Sequence, residues 1–212
     1  MDYLFFDIEC CDGVHICSFG YIVVDKNFKN AKKYDILMNP NHPFKLGKVS
    51  NPYIKLAHSN EEFESAPTFD HFYCRLKRLF EKKDRMFFGF STNSDLNFLK
   101  IACEEYDLPN FDITSYDLQK IFQKFANASH VESLESVCNH LGINTQKFHL
   151  HKSCDDAHLT MLVAKKICKM QKCTLDDLAE RFEFAKFLSK DLGYKNPKKH
   201  SKITVRRQKQ MQ

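Results

Sequence analysis

Two carboxylates stand two residues apart in the first apolar run of the chain, Tyr3-Leu4-Phe5-Phe6-Asp7-Ile8-Glu9. The run is rich in aromatic and aliphatic residues and free of Gly and Pro, which predicts a buried strand. Side chains alternate along a strand, so Asp7 and Glu9 share one face while Leu4, Phe6 and Ile8 take the other. Like charges side by side repel and lose hydration, a cost of several kcal/mol unless something pairs with them. A divalent cation would do so, and carboxylate oxygens suit Mg²⁺ or Mn²⁺ better than zinc. A solvated strand end is the plainer alternative. Further acids recur at helix starts. Asp95 follows the apolar run Arg85–Phe90 and a polar turn, and Asp156 opens another helical pattern. Capping and the helix dipole explain each of these singly. His151, five positions before Asp156 in the loop that leads into its helix, is the less ordinary companion.

The elements that must position these groups follow from periodicity. Strands are predicted over 3–9, 14–24 after the Asp12-Gly13 turn, and Tyr34–Met38, an antiparallel meander on short connections. Residues 40–60, with three prolines, read as irregular. Apolar residues spaced i, i+3, i+4, i+7 predict a helix over Thr68–Lys83, where Phe69, Phe72, Tyr73, Leu76, Leu79 and Phe80 share a face. A central strand over Arg85–Phe90 leads to a helix over Asp95–Tyr106, with Ser91 or Asn93 available as cap. A strand at Ile113–Tyr116 precedes helices near Asp117–Ala126 and Ser133–Leu141, the latter stopped by Gly142. A long helix over 154–170 begins at Ser153-Cys154-Asp155-Asp156, which has the form of a capping box. A last helix is expected over 175–188. Strands first and then alternating strand and helix imply an α/β fold, a mixed sheet flanked by helices.

Composition narrows the class. The 212 residues, 43% hydrophobic with 20 Phe and 8 Tyr, suffice for one full core and a short appendage. The expected division is a domain over 1–188 and a basic tail over 189–212. No run reaches the roughly 18 apolar residues of a membrane span, and Asp2, Asp7 and Glu9 sit where a secretory leader would be basic and then apolar. A soluble, cytoplasmic protein is expected, with no membrane partner. Nine scattered Cys without a CxxC pair read as reduced thiols rather than a disulfide framework or a cysteine-zinc site. Charge is uneven. From Ser189 to Gln212 eight basic side chains face one acid, giving +7, so the +5 of the whole chain leaves −2 for the rest. Such a segment buries too little apolar surface to offset its ordering entropy. It is either a solvated end or an electrostatic grip on a phosphate backbone.

Taken in order, these features resemble the DEDDh group of 3′–5′ exonucleases, which includes the proofreading subunit of bacterial replicative polymerases. Asp7-Ile8-Glu9 is similar to its first motif, followed by Ile16-Cys17-Ser18-Phe19-Gly20 and Ile22 to Asp25. Gly89 to Leu99, containing Asp95, is similar to the second, and His151 to Asp156, continuing into Ala157-His158-Leu159, to the third. Tyr116-Asp117-Leu118 and Ser133 to Ile143 are weaker landmarks, and the resemblance spans about residues 3–170. It implies a ribonuclease H-like mixed β-sheet, an antiparallel meander followed by parallel strands, flanked by α-helices. It implies two divalent ions, Mg²⁺ or Mn²⁺, held by Asp7, Glu9, Asp95 and Asp156, with Asp7 bridging and His151 as general base toward the attacking water. Asp155 is the register alternative to Asp156. The implied activity is release of nucleoside 5′-monophosphates from a free 3′ end of DNA or RNA, with a DNA polymerase as a further candidate partner.

Departures from the family pattern are Cys10, Ser94 and Ser153. Relatives usually carry Thr at the first, a position that helps hold the terminal nucleotide, so Cys10 is a candidate nucleic-acid contact. Lys198, Lys199, Arg206 and Arg207 are candidates in the tail. The alternatives are a non-catalytic module that binds nucleic acid or a partner on the same fold, and a phosphatase of the haloacid-dehalogenase type. The latter needs Asp where Glu9 stands. Deleting residues 190–212 is expected to weaken nucleic-acid binding and flatten its dependence on salt, measured as the slope of log K against log salt concentration. An unchanged slope returns the tail to the solvated reading.

Overall fold

The first strand, β1 (Asp2–Cys10), is the hub of the sheet. On one side it pairs antiparallel with β2 (Ile16–Val24), which pairs antiparallel with β3 (Lys32–Leu37). On the other it pairs parallel with β4 (Arg85–Gly89), then come β5 (Thr114–Asp117), also parallel, and β6 (Lys186–Leu188), antiparallel at the edge. The order is therefore β3-β2-β1-β4-β5-β6. This computed structural model describes residues 1–45 and 55–192. The candidate contacts Lys198, Lys199, Arg206 and Arg207 lie outside them.

Seven helices among the described residues cover the sheet: α1 (Asn60–Glu64), α2 (Phe69–Phe80), α3 (Thr92–Glu105), α4 (Leu118–Phe125), α5 (Leu134–His140), α6 (Ser153–Gln171) and α7 (Leu175–Arg181). The alternation of β1 divides them. Tyr3 and Phe5 enter a core with α4, α5, α6 and α7, whose fully buried members include Phe88, Leu159 and Ile167. Leu4, Phe6, Ile8 and Cys10 enter a second core with α2 and α3 through Leu76, Phe80, Leu96 and Leu99. The spacing seen in the sequence of α2 is borne out, with Phe69, Tyr73, Leu76 and Phe80 buried. All nine thiols are free, and no helix of the described residues is long and apolar enough to cross a membrane.

Three expectations need correction. The helix expected over 175–188 ends at Arg181, and after a short 3-10 turn the chain becomes β6. Those three residues are too few to show an alternation, and what makes them a strand is the distant pairing Ser115 with Phe187 and Tyr116 with Lys186. The chain stays anchored just beyond, where Ser189 Oγ donates to Phe111 O and accepts from Ile113 N. Just past the stretch 40–60 read as irregular, Asn60–Glu64 form an unexpected helix, with a genuine capping box between Ser59 and Glu62. And α6 begins without any side-chain cap, because its N-cap residue is Lys152, whose ammonium accepts no hydrogen bond, rather than Ser153.

The parallel pair β1–β4 is clamped at its start. Asp2 accepts from Arg85 Nε (2.6 Å) and Nη2 (2.7 Å) in a bidentate pair, and from Lys82 Nζ (2.5 Å). The Arg85 hydrogen bond is the main reason the Asp2 carboxyl is held at about 2, against the opposing effect of burial. A carboxyl whose folded value is depressed contributes stability above its ordinary value and loses it as pH falls through the folded one. Asp2→Asn is therefore expected to cost about 2 kcal/mol at pH 7 and to remove part of the acid destabilisation of the wild type between about pH 4 and pH 2. Denaturant unfolding across that range checks it.

Candidate metal centre

Register fixes the first two carboxylates. In β1, Asp7 lies opposite Gly20 and Glu9 opposite Ser18 of β2, on the face covered by α6. Gly20 is what lets α6 close on that face. A Cβ there would fall 2.0 Å from Ser153 C and 2.1 Å from Cys154 N, so the first turn of the helix rests directly on the strand backbone. Asp156, one turn further along, is thereby brought to the first motif and is 7% exposed.

Asp95 arrives from the opposite layer. Gly89 ends β4 with room for the chain to turn, since a Cβ there would meet Thr92 Cγ2 at 2.6 Å and Phe6 O at 3.2 Å. Ser91, the N-cap of α3, sits in the left-handed region at φ 64° without a side-chain cap bond. Its N–H donates instead to Asp117 Oδ1 (3.0 Å), which also accepts from Gln119 N (2.9 Å). Asp117, paired with Gly89 in the β4–β5 ladder, thus ties the turn that carries Asp95 to the start of α4. Asp95 itself is 4% exposed.

The uncapped start of α6 is held by a polar network. Ser18 Oγ donates to Ser153 Oγ and Ser153 Oγ to Asp35 Oδ1, each at 3.0 Å, while Asp35 Oδ2 lies 3.0 Å from His58 Nε2. Lys33 Nζ donates to Asp155 Oδ1 (2.6 Å), and Asp155 Oδ2 accepts from His149 N (2.9 Å). Although burial opposes it, these contacts hold the Asp155 carboxyl below its ordinary value. Asp155 is thus tied to β3 and the preceding loop. Asp156 is the one grouped with Glu9 and His151, each offering a donor atom within 4.8 Å of the others. His151 is left-handed at φ 62°. Its N–H donates to Asp156 Oδ2 (2.9 Å), and its Nδ1 faces Glu9 Oε1 at 3.6 Å with the side chain 42% exposed.

The electrostatics are those of charges forced together. Burial first, then Glu9, Asp95 and Asp156, drive the Asp7 carboxyl well above its ordinary value. Burial, then Asp117 and Glu9, do the same to Asp95. Asp156 is pushed up to about 7 by burial and Glu9. One oxygen on each of the three, Asp7 Oδ2, Asp95 Oδ2 and Asp156 Oδ1, is buried without a hydrogen-bond partner. Unsatisfied buried acceptors each cost about 1–3 kcal/mol. Three of them on an all-carboxylate donor set fit hard divalent cations, which bind through oxygen.

Cys10, the nucleic-acid candidate of the first motif, is 5% exposed and lies in the core layer of Ile8 and Ile16. Sequence reasoning missed Ser18, Lys33 and Asp35, polar residues on ordinary strands with no local signal of their role. Asp117 appeared only as a weak landmark.

The family model described as "DNA polymerase III subunit epsilon-like, C-terminal domain", of the DEDDh group, matches residues 22–167. That stretch contains Asp95, His151 and Asp156, while Asp7 and Glu9 precede it. No curated protein matches the chain. Among solved structures, exonuclease X in complex with 5′ overhanging duplex DNA is 12% identical at a TM-score of 0.64, over 84% of this chain and 98% of that one. The nuclease domain of 3′hExo, a DEDDh family member bound to rAMP, is 17% identical at 0.62, over 81% and 91%. E. coli exonuclease I in complex with a dA16 oligonucleotide is 15% identical at 0.66, over 86% of this chain and 43% of that one. At these identities the likeness is one of fold, and it agrees with the ribonuclease H-like sheet expected from the sequence.

The contact at Gly20 yields a direct test. Gly20→Ala must push α6 from β2, at a cost of about 3 kcal/mol, and should weaken Mn²⁺ binding through displacement of Asp156. Denaturant unfolding and Mn²⁺ titration check both; wild-type values in each would contradict the close approach.

Proposed function

Because the chain belongs to the DNA polymerase III subunit epsilon-like family of DEDDh proteins, we propose that it is a metal-dependent 3′–5′ exonuclease. It would hydrolyse phosphodiester bonds at the 3′ end of DNA or RNA and release nucleoside 5′-monophosphates. The observation that carries this reading is the set of three buried, unpartnered carboxylate oxygens on Asp7, Asp95 and Asp156 beside Glu9 and His151. The polynucleotides and the nucleotide bound by structures of the same fold support it further.

In this reading Asp7, Glu9, Asp95 and Asp156 hold two divalent ions, Mg²⁺ or Mn²⁺. Ions bound there supply Lewis-acid stabilisation of the scissile phosphate and acidify the attacking water. The protein's own groups do the rest. His151, whose Nδ1 lies 3.6 Å from Glu9 Oε1, is the group that would accept the water's proton. The backbone N–H of His151 on Asp156 Oδ2 ties the loop that carries His151 to this carboxylate. Residues 1–188 constitute the nuclease domain, and the basic segment 189–212 holds the phosphate backbone through Lys198, Lys199, Arg206 and Arg207.

With 5′-labelled single- and double-stranded DNA and RNA in Mn²⁺, the full chain should shorten substrates from the 3′ end. His151→Ala is expected to lower turnover about 10²–10⁴-fold with unchanged unfolding, and Asp7→Asn to abolish the metal-dependent reaction. Binding without release would favour a non-catalytic module, and turnover retained in Asp7→Asn would overturn the carboxylate assignment.

A further inference from the structure

A second group of metal-ligating side chains lies outside the carboxylate centre. We propose that Asp12, His15 and His42 form a transition-metal site of the Zn²⁺ class, linking the β1–β2 hairpin to the segment that follows β3.

Asp12 and His15 stand in the hairpin, and His42 lies beyond β3, 27 residues further on. Each offers one donor atom within 4.8 Å of the others, and all three are half-buried. The pocket is already organised. Asp12 Oδ1 accepts from the N–H groups of Val14 (3.0 Å) and His15 (2.9 Å), and Asp12 Oδ2 is 2.8 Å from His15 Nδ1. His42 Nε2 is 2.9 Å from Glu105 Oε1, at the end of α3. The two imidazoles stack with centroids 3.4 Å apart and planes inclined by 12°. Asn41 Nδ2 donates to Tyr106 Oη (3.1 Å) and pins the same segment to the same helix end.

Glu105 holds Nε2 of His42, the outer-shell arrangement that orients a histidine ligand, while Asp12 and His15 meet as two members of the ligand set. Two imidazoles and a carboxylate suit Zn²⁺ or Co²⁺, whereas the all-oxygen centre suits Mg²⁺ or Mn²⁺. The two sites therefore select different ions. Ligand atoms about 2.0–2.2 Å from a tetrahedral ion lie about 3.3–3.5 Å apart; the donors here are within 4.8 Å of one another, and ligation turns the two rings out of their stack so that both in-plane lone pairs meet the ion. Water is available for the fourth position.

The test uses the full chain, stripped with a chelator, with Co²⁺ as probe in excess Mg²⁺. Four-coordinate Co²⁺ absorbs strongly in the visible, while Co²⁺ in an octahedral oxygen site absorbs weakly. One equivalent of the strong band is expected in the wild type, bleached by one equivalent of Zn²⁺. His42→Gln and His15→Gln should weaken Co²⁺ binding about a hundredfold, and Asp156→Asn should leave it unchanged. A wild type without the band, or a band removed by excess Mg²⁺, overturns the proposal with no substitution involved. A band that survives in folded His42→Gln but is lost in Asp156→Asn overturns it as well.

Discussion

Carboxylates gathered out of water repel one another, and that repulsion is the constraint around which the described part of this protein is arranged. Asp7, Asp95 and Asp156 come from three elements and two layers, and each leaves one buried oxygen without a partner. Their raised pKa values all have burial as the first cause and a neighbouring carboxylate among the next. In the metal-free protein such a cluster is a standing cost, offset by two apolar cores that β1 divides between its faces. A cluster of this kind persists only where the surrounding packing over-determines it, which is the usual sign of a functional site.

The packing that imposes it is specific. The absence of a side chain at Gly20 lets α6 rest on β2, and Gly89 lets α3 leave β4 at once. Either replaced by a larger residue would separate elements that must meet. Around these contacts sits a shell of polar residues that touch none of the unpaired oxygens: Asp117 under the α3 turn, and the Ser18–Ser153–Asp35–His58 series under the start of α6. They fix where the backbone bends, and so where Asp95, His151 and Asp156 point.

Much of this was legible in the chain because it is local. The alternation in β1 placed Asp7 and Glu9 on one face, and the spacing in α2 showed its buried stripe. What escaped depends on distant partners. Lys186–Leu188 becomes a strand only because β5 offers it an edge. Ser153-Cys154-Asp155-Asp156 has the composition of a capping box, yet Ser153 bonds to Asp35 and Asp155 to Lys33, 118 and 122 residues away. Asp12 and His42 likewise show no relation in sequence. Choosing Asp156 over Asp155 rests on a resemblance; in the structure Asp155 is paired with Lys33 and Asp156 is grouped with Glu9 and His151.

The central claim is that the carboxylate cluster is held together at the expense of stability until cations neutralise it. Thermal unfolding of the wild type and Asp7→Asn, each with and without Mn²⁺, measures this directly. The account predicts that metal-free Asp7→Asn melts above the metal-free wild type, and that Mn²⁺ raises the melting temperature of the wild type far more than that of the variant. A metal-free variant that melts lower, with the same response to Mn²⁺ as the wild type, would contradict it.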